Sequence, residues 1–338
     1  MPGSISKMSV IGAGAWGTAL AKHLAEKGIE IRLWAYERDV VHAINTSQEN
    51  PIFLKGVALP RALIATSSLE EAACSCDGLV FAVPSHATRS VLQKLRLFLS
   101  SPMPLICATK GIEEETAKLM TQVMEDELLP SMHDALMVLS GPSFAAELSA
   151  GLPTAVCLAG RDSQLVRRFQ NALMTPVLRV YADSDLLGVQ LGGALKNVMA
   201  LAAGVIDGLE LGLNARAALI TRGLAETIRL GVAMGADPRT FYGLSGGGDL
   251  VLTCTGTLSR NHSVGVRLAK GERLETIING MQAVAEGVRT ARAAFTLALR
   301  HQVEMPIIRE INAVLYENKS CRQAVSDLME RDAKLEKG

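Results

Sequence analysis

Gly12, Gly14 and Gly17 stand between an apolar run, MSVIGAG (8–14), and an amphipathic one over 18–27. A strand that leaves through G-x-G-x-x-G into a helix presents free backbone N–H groups at the positive end of the helix dipole. That is a site for an anion. Gly12 permits the tight turn, Gly14 lets a pyrophosphate approach the backbone, and Gly17 lets the helix pack close to the strand. A second apolar run at 29–35 makes this a dinucleotide site rather than a plain tight turn. That run ends LWAYERD, where cofactor choice is made. Tyr36 and Arg38 could stack on adenine and meet a 2′-phosphate, while Glu37 could serve a ribose 2′-hydroxyl. NADP is favoured and NAD remains open; Arg38 also reads as a solvated surface charge.

Further groups sit where other runs end. Lys110 follows PLICATKG (104–111), and SGPSFAAEL (140–148) reads as a helix start with Pro142 in its first turn and N–H groups exposed around Ser143. GVQLGGALKNVMALAAGVIDG (188–208) carries one lysine, Lys196, inside an apolar helix, followed by Asn197. An unpaired ammonium is costly to bury, so such a lysine snorkels, finds a partner or loses its proton. GGGDLVLTCTGTLSRNHSVG (246–265) places Asp249 after three glycines and Ser259, Arg260 and Asn261 at a helix start. That trio forms a phosphate or ribose clamp. Plainer readings stand beside these: Asp249 as an N-cap, Arg260 as a surface charge, Lys196 as a snorkelling residue.

The elements that position these groups divide the chain in two. Short apolar runs at 8–14, 29–35, 78–84, 104–111, 135–142 and 154–160 alternate with helix-like stretches such as 18–27 and 88–99. Strand–helix alternation argues for a doubly wound parallel sheet with helices on both faces, whose ligands bind at the carboxyl ends of the strands. Beyond about residue 185 long helical patterns dominate, at 186–206, 215–234, 259–270, 282–301 and 306–317. Asn214 reads as an N-cap, Gly235 as a stop and Pro306 as a first-turn proline. The expected fold is an α/β Rossmann-type domain over 1–187 and an all-α substrate-binding and catalytic domain over 188–338.

Composition narrows the function. The chain has 338 residues, 34 basic and 34 acidic, with a formal net charge of zero. No global field attracts nucleic acid or an anionic membrane, so an anion must be held by a local cluster. The six cysteines, at 74, 76, 107, 157, 254 and 321, form no CxxC pair, and the six histidines fall in no metal-ligand spacing. Reduced thiols, no metal, no signal peptide, no membrane span and a cytoplasmic location are expected.

Taken in order, GAGAWGTALA, FAVPSH, ATKGIE, SGPSFAAEL, GLPTA, GVQLGGALKNVMALAAGVIDG, NARAALITRGLAE, GGGDLVLTCTGTLSRN and VAEGVRT resemble the bacterial NAD(P)-dependent glycerol-3-phosphate dehydrogenases. The resemblance spans about residues 8–328. It implies reversible reduction of dihydroxyacetone phosphate to sn-glycerol 3-phosphate, the precursor of phospholipid backbones, with NADPH or NADH. It implies cofactor contacts from Ala15, Trp16, Tyr36, Lys110, Ala145, Arg260, Val284 and Glu286. It implies substrate contacts from Lys110, Gly141, Ser143, Lys196, Asp249, Ser259, Arg260 and Asn261, with Lys196 as proton donor and acceptor. The family usually has a small polar residue in place of Ala15 and often a basic one in place of Tyr36. A hydroxy-acid or sugar-acid dehydrogenase is the nearest rival and would need a carboxylate clamp. A dinucleotide sensor would not need Lys196 or Asp249, and a methyltransferase would not need the Lys110, Lys196 and Arg260 set. The long apolar helices suit a homodimer.

Overall fold

The computed structural model describes residues 5–99, 102–281, 284–333 and 335–336. Eight strands form one sheet: β1 (Lys7–Ile11), β2 (Glu30–Trp34), β3 (Leu63–Thr66), β4 (Leu79–Phe81), β5 (Leu105–Cys107), β6 (Leu136–Ser140), β7 (Thr154–Gly160) and β8 (Leu178–Asp183). Their spatial order is β8-β7-β6-β5-β4-β1-β2-β3. Strands β1 to β6 run parallel, so their carboxyl ends share one edge. The order reverses between β1 and β4, which opens a crevice at that edge.

The expectation of a wholly parallel sheet is corrected at one place. β7 pairs antiparallel to β6, with Met137 opposite Gly160, and β8 follows β7 in parallel. Only a short link, 141–153, joins β6 to β7, and it contains just the five-residue helix Ala145–Ser149. That is too little chain for a full crossover, so the strand turns back. Two strands escaped the sequence reading. β3 is four residues long, and β8 alternates buried and exposed positions as an edge strand.

Helix α1 (Ala15–Glu26) follows β1, and α2 (Ser85–Leu95) follows β4. A two-stranded ribbon, Glu49–Asn50 against Leu54–Ala58, lies between β2 and β3. The remaining labelled helices are α3 (Leu186–Gly208), α4 (Gly212–Met234), α5 (Asp249–Thr255), α6 (Arg260–Ala269), α7 (Glu286–Arg300), α8 (Pro306–Tyr316) and α9 (Cys321–Met329).

Several helix starts differ from expectation. Asn214 lies in the first turn of α4 and caps nothing, because the chain is already helical from Gly212. Pro142 precedes the Ala145–Ser149 helix instead of opening it. α7 begins at Glu286; residues 282 and 283, at the expected start, lie outside the described residues.

α3 is the axis of the helical part. Asp185 caps it, its Oδ1 accepting the Gly188 N–H at 2.8 Å. Leu191, Leu195, Val198, Met199 and Leu201 are fully buried on it. Each such side chain contributes about 1.5–3 kcal/mol by leaving water. Among the described residues α3 is the one helix long and apolar enough to qualify as a membrane span, yet the apolar window that qualifies it is wholly buried. Its apolar character is accounted for by the core that surrounds it.

α6 crosses α3 at very close range. A Cβ on Gly265 would sit 2.1 Å from the Leu201 carbonyl oxygen, so no other residue fits without moving a helix. This contact fixes how far the start of α6 lies from Lys196.

Candidate active site

The glycine turn follows β1 at the crevice. Gly12 has φ +114°, and a Cβ there would meet the Ala82 carbonyl oxygen at 2.7 Å. A Cβ on Gly17 would lie 1.9 Å from the Gly12 oxygen. Around Gly14, by contrast, no atom lies within 4 Å of that position. The turn is tight on its protein side and open on the side a pyrophosphate would take. No side chain caps the start of α1, and its first turn holds no acidic residue. Its N–H groups are therefore left for an outside anion. The Trp16 indole Nε1 is buried and has no partner among the described residues. Together these features fit a dinucleotide.

The catalytic candidates meet at the carboxyl ends of β5 and β6, against α3 and α5. Asp249 is fully buried at the start of α5 and lies between two ammonium groups. The Lys110 Nζ donates to Asp249 Oδ2 at 2.8 Å, to the Gly141 carbonyl at 2.8 Å and to Ser143 Oγ at 3.1 Å. The Lys196 Nζ donates to Asp249 Oδ1 and, at 2.9 Å, to Thr253 Oγ1. An ammonium has three N–H groups. Lys110 has used all three. Lys196 has used two, and its third has no partner among the described residues.

Burial pushes the Lys196 ammonium down to about 8; Asp249 opposes that fall and the charge of Lys110 reinforces it. One carboxylate between two ammonium groups leaves one net positive charge. If Lys196 releases its proton, a balanced Lys110–Asp249 pair remains. The cluster can therefore give or take a proton without stranding an uncompensated charge.

A chain of amides runs from this cluster toward the cofactor side. Asn197 Nδ2 donates to the Lys110 carbonyl at 3.1 Å, and Asn261 Nδ2 donates to Asn197 Oδ1 at 2.9 Å. Asn261 Oδ1 in turn accepts the Gly287 N–H at 2.9 Å. Ser259 caps α6, its Oγ accepting the His262 N–H at 3.2 Å. Arg260 opens α6 with an exposed side chain that feels the Glu286 carboxylate. The Glu286 carboxylate accepts the Ser85 N–H at 3.0 Å and also the Ser85 hydroxyl. The helical part thus reaches back to the start of α2.

Two family models match the chain. The one described as "NAD-dependent glycerol-3-phosphate dehydrogenase N-terminus" matches residues 7–166, and its C-terminal counterpart matches residues 185–326. The chain belongs to the NAD-dependent glycerol-3-phosphate dehydrogenase family.

A relative from Geobacter metallireducens, a glycerol-3-phosphate dehydrogenase whose name specifies NAD(P)+, is 53% identical over 332 residues. The match covers 98% of this chain and 99% of that one. A relative of the same name from Myxococcus xanthus is 52% identical, covering 97% and 98%. The crystal structure of glycerol-3-phosphate dehydrogenase from Coxiella burnetii superposes with a TM-score of 0.92 at 37% identity, over 97% of this chain and 99% of that one.

Among the residues expected from the glycerol-3-phosphate dehydrogenase motifs, Lys110, Gly141, Ser143, Lys196 and Asp249 form one hydrogen-bonded cluster. Asn261, Asn197 and Glu286 join it through the amide chain and α7. Ala15 and Trp16 open α1, Ala145 opens its short helix, and Val284 precedes α7. Tyr36 stands apart at the end of β2, 78% exposed and with no recorded contact to the cluster. Thr253 and Ser85 were missed. Thr253 was findable, because it lies four residues after Asp249 and so shares its helix face. Ser85 was not, because its partner is 201 residues away.

Proposed function

We propose that the chain catalyses the reversible NAD(P)H-dependent reduction of dihydroxyacetone phosphate to sn-glycerol 3-phosphate, supplying glycerophospholipid synthesis. Residues 1–187 hold the dinucleotide and residues 188–338 hold the substrate. Gly12, Gly14, Ala15, Trp16 and Gly17 would cradle the pyrophosphate. Tyr36 would meet the adenosine end, and Lys110, Ala145, Arg260, Val284 and Glu286 would line the rest. When bound, the reduced nicotinamide supplies the hydride.

As the carbonyl carbon is reduced, its oxygen gains charge and needs a proton. The observation that carries the assignment is the spare N–H of Lys196 beside a fully engaged Lys110. Lys196 protonates the forming alkoxide, and its lowered pKa makes it an effective acid near neutral pH. Asp249 and Thr253 aim it. Arg260 and the free N–H groups at the start of α6 take the phosphate, with Ser259 and Asn261 beside them. Lys110, Gly141 and Ser143 form the opposite wall.

The test is NADPH and NADH oxidation followed with dihydroxyacetone phosphate and with unphosphorylated dihydroxyacetone, across pH. Turnover is expected only with the phosphorylated substrate. Reduction requires protonated Lys196, so kcat should fall as pH rises through about 8. Oxidation of glycerol 3-phosphate requires the neutral amine and should rise through the same range. Equal turnover of both ketones would refute the phosphate clamp, and a flat profile across that range would remove Lys196 from the proton step.

A second copy of the chain is the proposed partner. A cleft of about 960 Å³ between α4, α8 and α9 is lined largely by aliphatic side chains. Val232, Met329 and Leu335 stand exposed along it, at 49%, 80% and 83%. A contiguous apolar face of that kind marks an interface. Sedimentation should give twice the 35.9 kDa chain mass, and Val232→Glu should halve it. A monomeric wild-type protein would refute the assignment.

A further inference from the structure

The glycine turn has a support that none of its own residues supplies. Asn50 lies on the ribbon after β2, 37 residues from Ala13, and is completely buried. Its Nδ2 donates to the Ala13 carbonyl at 2.8 Å and to Thr18 Oγ1 at 2.8 Å. Its Oδ1 accepts the Phe53 N–H at 3.0 Å. Flipping the amide would set donor against donor at Phe53 and acceptor against acceptor at Ala13, so the partners dictate its orientation. Thr18 Oγ1 adds a second donor to the same carbonyl, at 3.1 Å.

Ala13 lies between Gly12 and Gly14, the least restrained part of the turn. A pyrophosphate needs N–H groups facing it, and a carbonyl oxygen turned the same way would repel it. A Cβ on Gly14 would meet no atom within 4 Å, and the donors to the Ala13 carbonyl are the Asn50 amide and the Thr18 hydroxyl. We propose that Asn50 is a positioning residue for the cofactor: by holding the Ala13 carbonyl inside the protein, with Thr18, it fixes the turn so that its N–H groups face the pyrophosphate. Asn50 touches neither dinucleotide nor substrate.

The proposal rests on reading this turn as the cofactor site, and it makes a selective demand. The pyrophosphate is common to NADPH and NADH, whereas the Tyr36 end distinguishes them. Loss of Asn50 must therefore weaken both dinucleotides by the same factor. Asn50→Asp keeps the shape and the acceptor for Phe53, and removes both donors.

The experiment is fluorescence titration of the full chain with NADPH and with NADH, alongside kcat and KM for dihydroxyacetone phosphate. For Asn50→Asp, both dissociation constants should rise about tenfold. At saturating cofactor, kcat and the KM for dihydroxyacetone phosphate should stay within about twofold. Thr18→Val, uncharged and isosteric, should shift both constants the same way by less. It carries the test if Asn50→Asp does not fold.

A lowered melting temperature with unchanged dissociation constants would make Asn50 merely structural and overturn the proposal. So would a loss confined to one of the two dinucleotides. Wild-type protein that binds neither would instead overturn the reading of the turn, and the proposal with it.

Discussion

Lys196→Met lowers kcat for dihydroxyacetone phosphate reduction by about 10²–10⁴-fold, the usual worth of a positioned general acid. NADPH affinity stays nearly unchanged, because Lys196 lies on α3 and the glycine turn lies after β1. Methionine matches the length of the side chain and suits the surrounding core. Its thioether leaves Asp249 paired with Lys110 alone, at 2.8 Å. That pair is balanced, so the fold should survive. Single-turnover absorbance changes together with NADPH titration check both halves of the expectation. Lys110 cannot substitute, since its three N–H groups are already engaged. Turnover within about tenfold of wild type would assign the proton to another group. Arginine is no neutral control at this position, because a guanidinium keeps its proton.

Asp249→Asn acts on both chemistry and stability. The wild-type carboxylate lies fully buried between two ammonium groups. Without its charge, Lys110 and Lys196 face each other across a neutral amide. Asp249 is what opposes the fall of the Lys196 pKa, so that pKa drops further, below about 8. A larger share of the protein then carries, at neutral pH, an amine that has no proton to give. The expected result is a fall in kcat for reduction of about 10²-fold or more at pH 7, recovering in part as the pH is lowered. Breaking a buried pair by removing one partner costs about 3–5 kcal/mol, and proton loss from Lys196 relieves part of that. A pH profile of kcat and a urea midpoint measure the two effects. A profile that keeps its wild-type limb would show that Asp249 does not control the lysine.

What could be read from the chain depended on how local each signal was. The turn at Gly12–Gly17 is a contiguous motif and helix α3 a long, nearly uninterrupted apolar run, and both are visible without a structure. So is the Ser259 cap, which precedes an amphipathic run. The reversal of β7 was not visible, because an apolar strand reads the same in either direction. Asn214 looked like a cap by residue type, but α4 had already begun at Gly212. At the site, the residue types were legible from the chain, and the role expected of Lys196 came from the family resemblance alone. Lys110 and Lys196 look equivalent as residues at the crevice. Their hydrogen bonds separate them: Lys110 has all three N–H groups engaged, and Lys196 has two. Asn50 has one local partner, the Phe53 N–H, but the partners that tie it to the turn lie 32 and 37 residues away.

The burial of α3 sets the timescale on which this enzyme can fail. Amide hydrogens in a fully enclosed central helix exchange with solvent only when the whole domain opens, whereas those at exposed ends fray continually. Lys196 is carried by that enclosed helix, while Tyr36 stands at an exposed strand end. On the proposed assignment, the proton donor belongs to the most enclosed helix, and the adenosine end of the cofactor site to the exposed turn that carries Tyr36. Mild heating or low denaturant should loosen the grip on the dinucleotide while the acid stays in place. Excess cofactor would then restore activity until the helical core itself melts.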